Sequence, residues 1–417
     1  MKARRRNCDV LIIGAGPVGA LLACVMARAG HQVVLAERGR RKADPGHSRD
    51  TRGYALSAGS VTILDDLGYW APLMEHAEAI KEIHVSRRSG FGGVVMDASS
   101  HGVAALGQVV PAARIEAMLA TALAATDAQL LEQTRLEQLE AAADGRRGVV
   151  IAGPDGRHRV AARLVVAADG SSSETRSAAG IEVLRRRYDA DALVFDIEPS
   201  RPHRGRAFER FTPEGPLALL PQSGGRMNVV WVAPPEACAA RLSLGEVDRV
   251  KALQRAFGWR LGRLRAVGPV ACFPLEMVRA RRLHDQRLVL AGNVAHGLHP
   301  VAGQGLNLSL RDVAVLAGVL SRASDPGIPE LLSAYSRARA SDIERVATAT
   351  DFLARGLLAD RGLLPHALGG AMLLLDRVDP LRRAWAAQAM GLQPLPRQSL
   401  RAIPTLSPKP SARPGQS

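Results

Sequence analysis

Three glycines near the amino terminus have the spacing that lets a backbone turn bind a pyrophosphate. Gly14, Gly16 and Gly19 form the pattern G-A-G-P-V-G between a β-branched apolar run and an apolar helical stretch. The first glycine permits a tight turn, the second lets the backbone approach the phosphates, and the third lets helix and strand pack closely. Because the amino terminus of a helix carries partial positive charge, the pattern predicts a dinucleotide site.

A carboxylate follows at the distance that such a site requires. Glu37 ends the second apolar strand, about 20 residues after the glycines, where it can accept a hydrogen bond from a ribose hydroxyl. Arg38, the next residue, is assigned to the same cofactor site. The alternative is a chance glycine-rich turn, which leaves the register of strand, helix and acid unexplained.

Two later segments contain further turns that can bind a ligand. Ala167–Arg176 reads A-A-D-G-S-S-S-E-T-R, with Asp169 and Gly170 at the end of an apolar strand. By itself, this segment is also compatible with a simple strand-to-helix turn. Ala291–Asp312 runs from a strand end through a glycine-rich loop into a helix, whose first backbone N–H groups can hold the electron-rich edge of a ring.

In this order, the three segments resemble the flavin-dependent hydroxylases built like p-hydroxybenzoate hydroxylase, where the second segment is a D-G-x-x-S-x-x-R motif. Over roughly residues 8–350 the chain is more narrowly similar to hydroxylases of ubiquinone biosynthesis. That similarity is carried by A-L-S-A-G-S at 55–60, I-H-V-S at 83–86, A-L-G-Q-V-V at 105–110, G-R-A-F-E-R-F-T-P-E-G-P-L-A-L-L-P at 205–221, A-F-G-W-R-L-G at 256–262 and L-H-P-V-A-G-Q-G-L-N-L at 298–308. Asn293 stands where most of the class has Asp, and this variant resembles the ubiquinone subgroup.

The resemblance implies an FAD-dependent aromatic monooxygenase that uses dioxygen and either NADPH or NADH. It implies hydroxylation of 2-polyprenyl-6-methoxyphenol para to the phenol oxygen, which gives 2-polyprenyl-6-methoxy-1,4-benzoquinol. Asp169 and Gly170 would serve FAD and the nicotinamide cofactor, and the flavin would lie on the third segment. The residues assigned to the flavin there are Asn293, Gly303, Gln304, Gly305, Leu306 and Asn307.

Three residues are assigned to catalysis. By resemblance, Arg52 lies near the flavin and its reductant, although it is also compatible with a solvated arginine in an arginine-rich chain. Pro300 provides a rigid turn that shapes the wall of the oxygen pocket. His299, or His296 beside it, can tune the phenol, unless loop carbonyls satisfy both imidazoles. Ring hydroxylation by flavin needs a water-poor pocket and no metal, and no metal site is predicted.

The elements that must position these residues predict an α/β fold. We expect a Rossmann-like FAD-binding domain of the p-hydroxybenzoate hydroxylase type, with an inserted antiparallel-sheet substrate domain and carboxyl-terminal helices. The expected parts are 7–182, the first part of the FAD-binding domain, with 80–105 contributing to the substrate domain; 183–275, the substrate-binding sheet; 276–345, the return segment; 346–392, the carboxyl-terminal helices; and 393–417, a disordered tail.

Locally, residues 53–70 and 332–390 are predicted to be helical and residues 183–272 mostly strand. The substrate face should come from the inserted sheet. Its candidates are Phe208, Phe211, Leu219 and Trp231, although residues of these types are more often plain core.

The composition argues against several other classes. The chain has 417 residues, 47% hydrophobic and 23% charged, as in ordinary globular proteins. Four scattered cysteines form no pattern for a disulfide framework or a zinc site. A net charge of +15 favours anionic surfaces, but with only 4% aromatic residues nucleic-acid binding is not expected. No apolar run is long enough to predict a transmembrane helix.

The implied substrate carries a polyprenyl tail that partitions into lipid. We therefore expect a cytoplasmic protein that is peripheral at the inner membrane or part of a soluble quinone-biosynthesis complex. The apolar region Gly356–Gly391 is compatible with membrane contact, partner docking or plain core. Three other functions stay open: a sister flavin hydroxylase acting at another ring position or on another phenol, a mainly structural flavoprotein of that complex, and a flavin reductase acting on prenyl double bonds.

Overall fold

The computed structural model describes residues 4–40, 52–88, 93–297, 304–358 and 390–391. Within these residues the strands are β1 (Arg4–Ile13), β2 (Val33–Ala36), β3 (Gly53–Ser57), β4 (Glu78–Ile80), β5 (Glu82–Arg87), β6 (Gly93–Asp97), β7 (Gly107–Pro111), β8 (Gln129–Leu131), β9 (Arg135–Ala143), β10 (Arg146–Gly153), β11 (Gly156–Ala167), β12 (Val183–Pro199), β13 (Arg206–Thr212), β14 (Gly215–Pro221), β15 (Met227–Ala233), β16 (Leu264–Ala280), β17 (His284–Asp285) and β18 (Leu288–Leu290). The helices are α1 (Pro17–Arg28), α2 (Ala58–Asp66), α3 (Ala71–Met74), α4 (Ala112–Ala124), α5 (Glu174–Ala178), α6 (Pro235–Ser243), α7 (Glu246–Phe257), α8 (Asn293–His296), α9 (Gln304–Leu320) and α10 (Pro329–Leu358). The predicted α/β fold is confirmed.

The first sheet has the order β17-β18-β11-β1-β2-β8, and the β9–β10 hairpin joins it through β11. β1 runs parallel to both β2 and β11, and β11 runs parallel to β18. Successive residues of β1 enter different cores: Val10 and Ile12 pack in the core that includes α1 and α9, and Leu11 and Ile13 pack in the core on the other face. Burial on both faces explains why this strand is a continuous apolar run.

The second sheet has the order β16-β12-β15-β14-β13-β5-β6. Its β12–β16 segment begins at residue 183, but β16 continues to Ala280, beyond the boundary expected after residue 275. The 80–105 region supplies β5 and β6, and β5 pairs in parallel with β13. The amino-terminal half of the chain therefore contributes an edge of the second sheet.

Two helices interrupt the region that was predicted to be mostly strand. α6 and α7 follow β15 and cover one face of the second sheet, where Cys238, Leu253 and Phe257 join its buried core. α7 begins with Glu246 and Asp248 in its first turn, an arrangement that the helix dipole favours. We call this covered side of the second sheet the helix face.

The segment 53–70 is not helical throughout, as had been predicted. Its first part is β3, which pairs with β7 in a small sheet of the order β3-β7-β4. The helix begins only at Ala58, after Ser57, whose Oγ accepts a hydrogen bond from the Ser60 N–H. Pairing with a distant strand therefore prevails here over the local apolar pattern.

The carboxyl-terminal region begins with α10, which starts at Pro329 rather than at residue 332. The rest of the predicted helical region up to residue 389 and the predicted disordered tail lie outside the described residues. Met390 and Gly391 are described: the Met390 carbonyl accepts a hydrogen bond from the Gly59 N–H at 2.9 Å. In the described part of the chain, no helix combines the length and the apolar character that a membrane span needs.

Candidate active site

The glycine turn after β1 is packed tightly at two of its glycines and open at the third. A Cβ atom on Gly14, which has a φ of +101°, would lie 2.5 Å from the Ala168 carbonyl oxygen, and one on Gly19 would lie 1.9 Å from the Gly14 oxygen. A Cβ on Gly16 would meet nothing within 4 Å. Gly16 is the N-cap of α1, and no side chain caps this helix. The turn thus leaves room and uncapped helix N–H groups for a pyrophosphate, which fits a dinucleotide.

Glu37 lies at the carboxyl end of β2, directly beside this turn. Its Oε2 accepts a hydrogen bond from the Ala15 N–H at 2.7 Å, and its Oε1 accepts one from the Gly39 N–H at 2.8 Å. A carboxylate has further lone pairs, so these bonds leave acceptor capacity for a ribose hydroxyl. Arg38 is exposed beside it. Both residues lie beside the glycine turn, and their cofactor roles stay predictions.

The Asp169–Gly170 turn is held by its own motif. The Asp169 carboxylate accepts hydrogen bonds from Ser173 Oγ at 2.6 Å and from the N–H and hydroxyl of Thr175 at 3.1 and 3.0 Å. Arg176 is buried, and its guanidinium donates to the Ser171 and Val294 carbonyls, both at 2.9 Å. Burial lowers the pKa of Arg176. In this motif, the serine and arginine therefore fix the loop and tie it to α8.

The three glycine-rich segments converge on one region. The Cβ position of Gly14 lies 2.8 Å from the Asp169 Cα, and that of Gly292 lies 3.1 Å from a methyl group of Val18 on α1. The Cβ position of Gly305 lies 4.0 Å from the Asn293 side-chain oxygen. Segments separated by more than a hundred residues in sequence thus meet in one place, which we call the cleft.

The amino-terminal end of α9 lies in this cleft and is tied to β3. Asn293 is exposed at the start of α8, and Gly305 and Leu306 are half-buried in the first turn of α9, which starts at Gln304. Asn307 is buried: its Oδ1 accepts from the Ser57 N–H and its Nδ2 donates to the Ala55 carbonyl, both at 2.8 Å. These bonds give Asn307 the role of joining α9 to β3, in addition to any contact with a ligand.

His299, Pro300 and Gly303 lie outside the described residues, so their assigned roles stay predictions. Arg52 is described and lies where the small sheet that contains β3 meets the second sheet. Its guanidinium is 5.5 Å from the centre of the Tyr54 ring on β3 and 5.4 Å from that of Phe273 on β16. Arg52 is exposed, but its contacts with both rings give it a defined position.

Asp312, which was not among the predicted site residues, is a buried carboxylate that stabilises the third segment. We call Asp312 and its hydrogen-bonding partners the brace. The Oδ2 of Asp312 accepts from the Gly292 N–H at 2.8 Å and lies 2.5 Å from His296 Nε2, and its Oδ1 accepts from Arg339 Nε at 2.7 Å. Burial alone would raise the pKa of Asp312, but His296 and Arg339 outweigh it and lower the pKa. His296 is therefore paired with a carboxylate through Nε2, not with loop carbonyls as had been considered.

The brace continues into α10. Arg339 also bonds Asp342, which accepts from Arg311 Nε at 2.6 Å. The Arg311 guanidinium donates to the Gly391 carbonyl at 3.2 Å. Asp312 closes the quoted third motif, but nothing in the local sequence indicates that its partner is Arg339, on a different helix. Only the packing of α9 against α10 reveals the pair.

The second sheet turns its other face, which we call the cleft face, towards β3. Asn228 on β15 is buried there, and its Oδ1 accepts a hydrogen bond from the Gly53 N–H at 3.2 Å. Ala218, Leu220 and Val230 share this face and stay partly accessible, although β14 and β15 are interior strands of the sheet. Partly accessible apolar side chains on interior strands make this face a surface on which an apolar ring can pack.

Most of the predicted substrate-face aromatics and aliphatics lie on the opposite side. Phe208, Leu219 and Trp231 pack in the core of the helix face, together with α6 and α7. Phe211 packs with Leu220 and Ala55 in a cluster on the cleft face. The prediction was wrong for the first three because it did not include the two helices that cover the helix face.

Comparison with known proteins shows the family to which the chain belongs. A family model described as "FAD binding domain" matches residues 7–350. The chain is 36% identical to ubiquinone hydroxylase UbiL of Rhodospirillum rubrum, with 95% of this chain and 93% of that relative covered. It is 28% identical to 3-demethoxyubiquinol 3-hydroxylase of Escherichia coli, covering 92% of this chain and 98% of the relative.

The fold is also similar to that of solved structures. The anhydrotetracycline hydroxylase OxyS from Streptomyces rimosus superimposes with a TM-score of 0.72 at 25% sequence identity. The match covers 93% of this chain and 77% of that chain. The match therefore includes most of the fold described above.

Proposed function

The chain belongs to the FAD-binding family of aromatic monooxygenases, and from that premise we propose that it hydroxylates a polyprenylated phenol on the route to ubiquinone. The cofactor of this enzyme is FAD, and its reductant is NADPH or NADH. Within that activity, we assign 2-polyprenyl-6-methoxyphenol as substrate and 2-polyprenyl-6-methoxy-1,4-benzoquinol as product, with the new oxygen para to the first.

The observation that carries the proposal is the position of the half-open apolar cleft face beside the cradle formed by the three glycine-rich segments. β3 connects the two: Asn307 bonds its Ala55 and Ser57, and Asn228 bonds its Gly53. A ring held against the cleft face is thus one strand away from the amino-terminal end of α9. The names of the relatives support a ubiquinone precursor as that ring.

The chain's own residues have separate tasks in this reaction. When bound, reduced FAD activates dioxygen and supplies the electrophilic oxygen atom. The glycine turn and Glu37 bind the dinucleotide, and the uncapped first turn of α1 faces its phosphates. The first N–H groups of α9 stabilise negative charge at the ring edge. The apolar side chains of the cleft exclude water and orient the phenol.

One observation favours a second candidate. The relative from Escherichia coli is named for hydroxylation at position 3 of a demethoxyubiquinol, which is another position on a related ring. The second candidate is therefore a sister hydroxylase that acts at a different ring position. The two differ in the product made from one substrate, so product analysis separates them.

We further propose that the enzyme works at the membrane surface or within a quinone-biosynthesis complex. The polyprenyl tail of the substrate partitions into lipid, and the net charge of +15 attracts anionic surfaces. Sedimentation with vesicles of anionic lipid, compared with vesicles of neutral lipid, tests this part. Equal binding to both types would argue against the electrostatic contribution.

The test of the function is turnover of the purified protein. We expect a yellow protein that oxidises NADPH or NADH faster when a short-chain prenylated methoxyphenol is present. The hydroxylated product should carry one oxygen atom from isotopically labelled dioxygen, para to the original hydroxyl. A gently purified protein without flavin absorbance, or oxidation that the phenol does not change, would contradict the proposal. Incorporation at another ring carbon would favour the second candidate.

A further inference from the structure

Glu209, in the centre of β13, has its side chain on the cleft face. It is in register with Ala218 of β14, which is in register with Val230 of β15, and both of these line the cleft face. The next residue, Arg210, turns the other way and donates from Nε to the Ala256 carbonyl on α7 at 3.1 Å. Strand alternation and these contacts therefore point the Glu209 carboxyl towards the cleft.

The surroundings of this carboxyl are apolar. Ala207 and Phe211, its neighbours along the same face of β13, belong to a buried cluster with Val85 of β5. In the described part of the chain, no hydrogen bond or ion pair reaches the Glu209 carboxyl. The side chain keeps some accessible surface, yet burial raises its pKa to about 7. The carboxyl is thus surrounded by protein but can still be reached by a small molecule.

The nearby charges do not compensate this carboxyl. Described ionisable side chains on the cleft face, or on elements that pack over its centre, include Glu78, Arg87, Asp196, Arg52 and Asp342. Asp196 accepts from Asn228, and Arg52 lies over two aromatic rings. Burial is the one cause that acts on the pKa of Glu209. An uncompensated buried acid destabilises the fold, so its presence in the cleft calls for a functional reason.

We propose that Glu209 accepts the proton of the phenolic hydroxyl of the substrate during hydroxylation, an inference that rests on the proposed function. The O–H bond of the phenol breaks, the proton passes to the carboxylate, and the electron pair stays on the phenol oxygen. This electron density makes the ortho and para carbons more nucleophilic. One atom of dioxygen joins the ring and the other leaves as water, with NADPH or NADH as the two-electron reductant. The ring proton leaves to solvent, and Glu209 returns its own proton to the product oxygen.

The pKa of this carboxyl suits the task. A phenol has a pKa of about 10, so an ordinary carboxylate would be a weak base towards it. Burial moves the pKa of Glu209 from 4.5 to about 7, which brings donor and acceptor nearer to each other. Proton transfer is most effective when the pKa of the base is close to the working pH, so that the base is ionised and still proton-seeking.

The first experiment observes the phenol directly, without turnover. A short-chain prenylated methoxyphenol is added to the oxidised holoenzyme at pH 8, and the ultraviolet difference spectrum reports whether its hydroxyl donates a strong hydrogen bond, which shifts the phenol band to longer wavelength. Because the pKa of the phenol lies about three units above that of Glu209, the bound phenol stays largely protonated, and we expect this shift in the native protein and a smaller one in Glu209→Gln, with similar affinity for the ligand. The control is Glu214→Gln, which removes an exposed carboxylate at the turn of the same hairpin, paired with Arg241.

The second experiment measures hydroxylation. Glu209→Gln should keep its flavin but lose about 100-fold or more of the product formation rate, the usual contribution of a general base. A fluorinated phenol of lower pKa, which ionises without help, should restore the rate of the variant to within about tenfold of the native enzyme. Glu214→Gln should stay within about twofold of it for both phenols.

Three results would overturn the assignment: a phenol band shifted no more in the native enzyme than in Glu209→Gln, full product formation by Glu209→Gln, or an equal loss with both phenols. The third result would indicate a merely structural role. Failure of the proposed function looks different, because no phenol would then stimulate NADPH or NADH oxidation even in the native enzyme. A native enzyme that turns over but shows no hydrogen-bond shift of the bound phenol would refute only the role of Glu209.

Discussion

Asp312 and Glu209 are both enclosed by protein, but their surroundings are opposite. Asp312 is surrounded by donors, the Gly292 N–H, His296 and Arg339, and its pKa is lowered in spite of burial. Within the described residues, Glu209 has no such partner, and burial raises its pKa to about 7. A carboxylate whose bonding capacity is used within the fold acts as a brace. A carboxyl that the fold leaves unpaired is available to a substrate.

The two regions also differ in what they hold. Asp312 fixes the strand end at Gly292 and α8 against α10, so it supports the backbone that receives the cofactor. Glu209 lies on the cleft face, where interior strands keep partly accessible side chains. Beside Gly292 the polar groups of Asp312 are thus paired within the fold, and on the cleft face the Glu209 carboxyl has no partner among the described residues.

The largest effect is expected from removing the charge of the brace. Asp312→Asn removes one of the two carboxylates that contact the buried Arg339 and the carboxylate partner of His296, and breaking a buried ion pair in this way costs about 3–5 kcal/mol of the free energy of unfolding. Urea denaturation of the holoprotein at pH 7 measures it. Asp248→Asn, which removes an exposed partner of Lys251 and a favourable charge in the first turn of α7, is the control and should change the free energy by less than about 1 kcal/mol.

The difference in the free energy of unfolding between the native protein and Asp312→Asn depends on pH with a defined sign. The folded pKa of Asp312 is lowered, so its contribution to stability is complete above the unfolded value of about 3.9. It is lost as the pH falls through the folded pKa. The difference between the native protein and Asp312→Asn should therefore be constant near neutrality and narrow only in acid. A difference that already narrows near pH 6 would mean that Asp312 is not the titrating group.

For Glu209, the free energy of unfolding is expected to depend on pH in the opposite sense. Its folded pKa is raised from 4.5 to about 7, so ionisation destabilises the folded state increasingly as the pH rises between these values. Glu209→Gln removes this penalty and should raise the free energy of unfolding by up to about 3 kcal/mol at pH 8. At pH 4.5 or below, the difference should vanish. Urea denaturation across this pH range tests it, and a variant less stable than the native protein at pH 8 would reveal a partner for the carboxylate.

The contrast between the two carboxyls also separates what the sequence could predict from what it could not. Gly14, Gly16, Gly19 and Glu37 were predictable because a strand, a turn and a helix that adjoin in sequence set their positions. The face on which Glu209 lies depends on what covers each side of its strand. That depends on α6 and α7, which were predicted as strand.

The same limit applies to the brace. Asp312 is part of a recognisable segment, but its partner Arg339 lies on α10, and only the packing of two helices brings them together. Arg52 and Asn307 are intermediate between residues that the sequence could predict and residues that only the packing reveals. Their positions were predicted from resemblance, and the structure adds their contacts with Tyr54, Phe273 and the backbone of β3.

The glycine turn also has packed positions, Gly14 and Gly19, and an open one, Gly16. Substitution at the open position is expected to have a smaller effect, on FAD affinity. Gly16→Val should fold normally, because its Cβ meets nothing within 4 Å, but its side chain would enter the space assigned to the pyrophosphate. We expect FAD to bind at least about 100-fold more weakly, which corresponds to about 2.7 kcal/mol. Flavin fluorescence titration of the apoprotein measures the affinity.

A matched control exists for this substitution. Gly245 is also a helix N-cap with an extended backbone, no side-chain cap and open space around its Cβ, but it precedes α7 on the helix face. Gly245→Val should therefore bind FAD like the native protein. If Gly16→Val kept full flavin affinity, the pyrophosphate would have to lie elsewhere in the cleft.

The smallest effect is expected from substitution of Arg52. Arg52→Gln loses its contacts with Tyr54 and Phe273, and exposed cation–π contacts contribute about 0.5–1 kcal/mol each. The free energy of unfolding should therefore fall by about 1 kcal/mol. The pKa of Glu209 should stay within about 0.3 of its native value, because burial is the one cause that acts on it.

This last expectation is the sharpest test of the comparison, because a favourable charge would make Glu209 resemble Asp312. The measurement is a double-mutant cycle with Arg52→Gln and Glu209→Gln, in which the free energy of unfolding is followed from pH 4.5 to pH 8. If the two substitutions are additive at every pH, Arg52 does not interact with the Glu209 carboxyl. Glu209 then lacks this partner in solution as well. A coupling that grows as the pH rises through 7 would mean that Arg52 stabilises the ionised carboxylate. Glu209 would then be a second brace, and the reason to assign it a proton-accepting role would disappear.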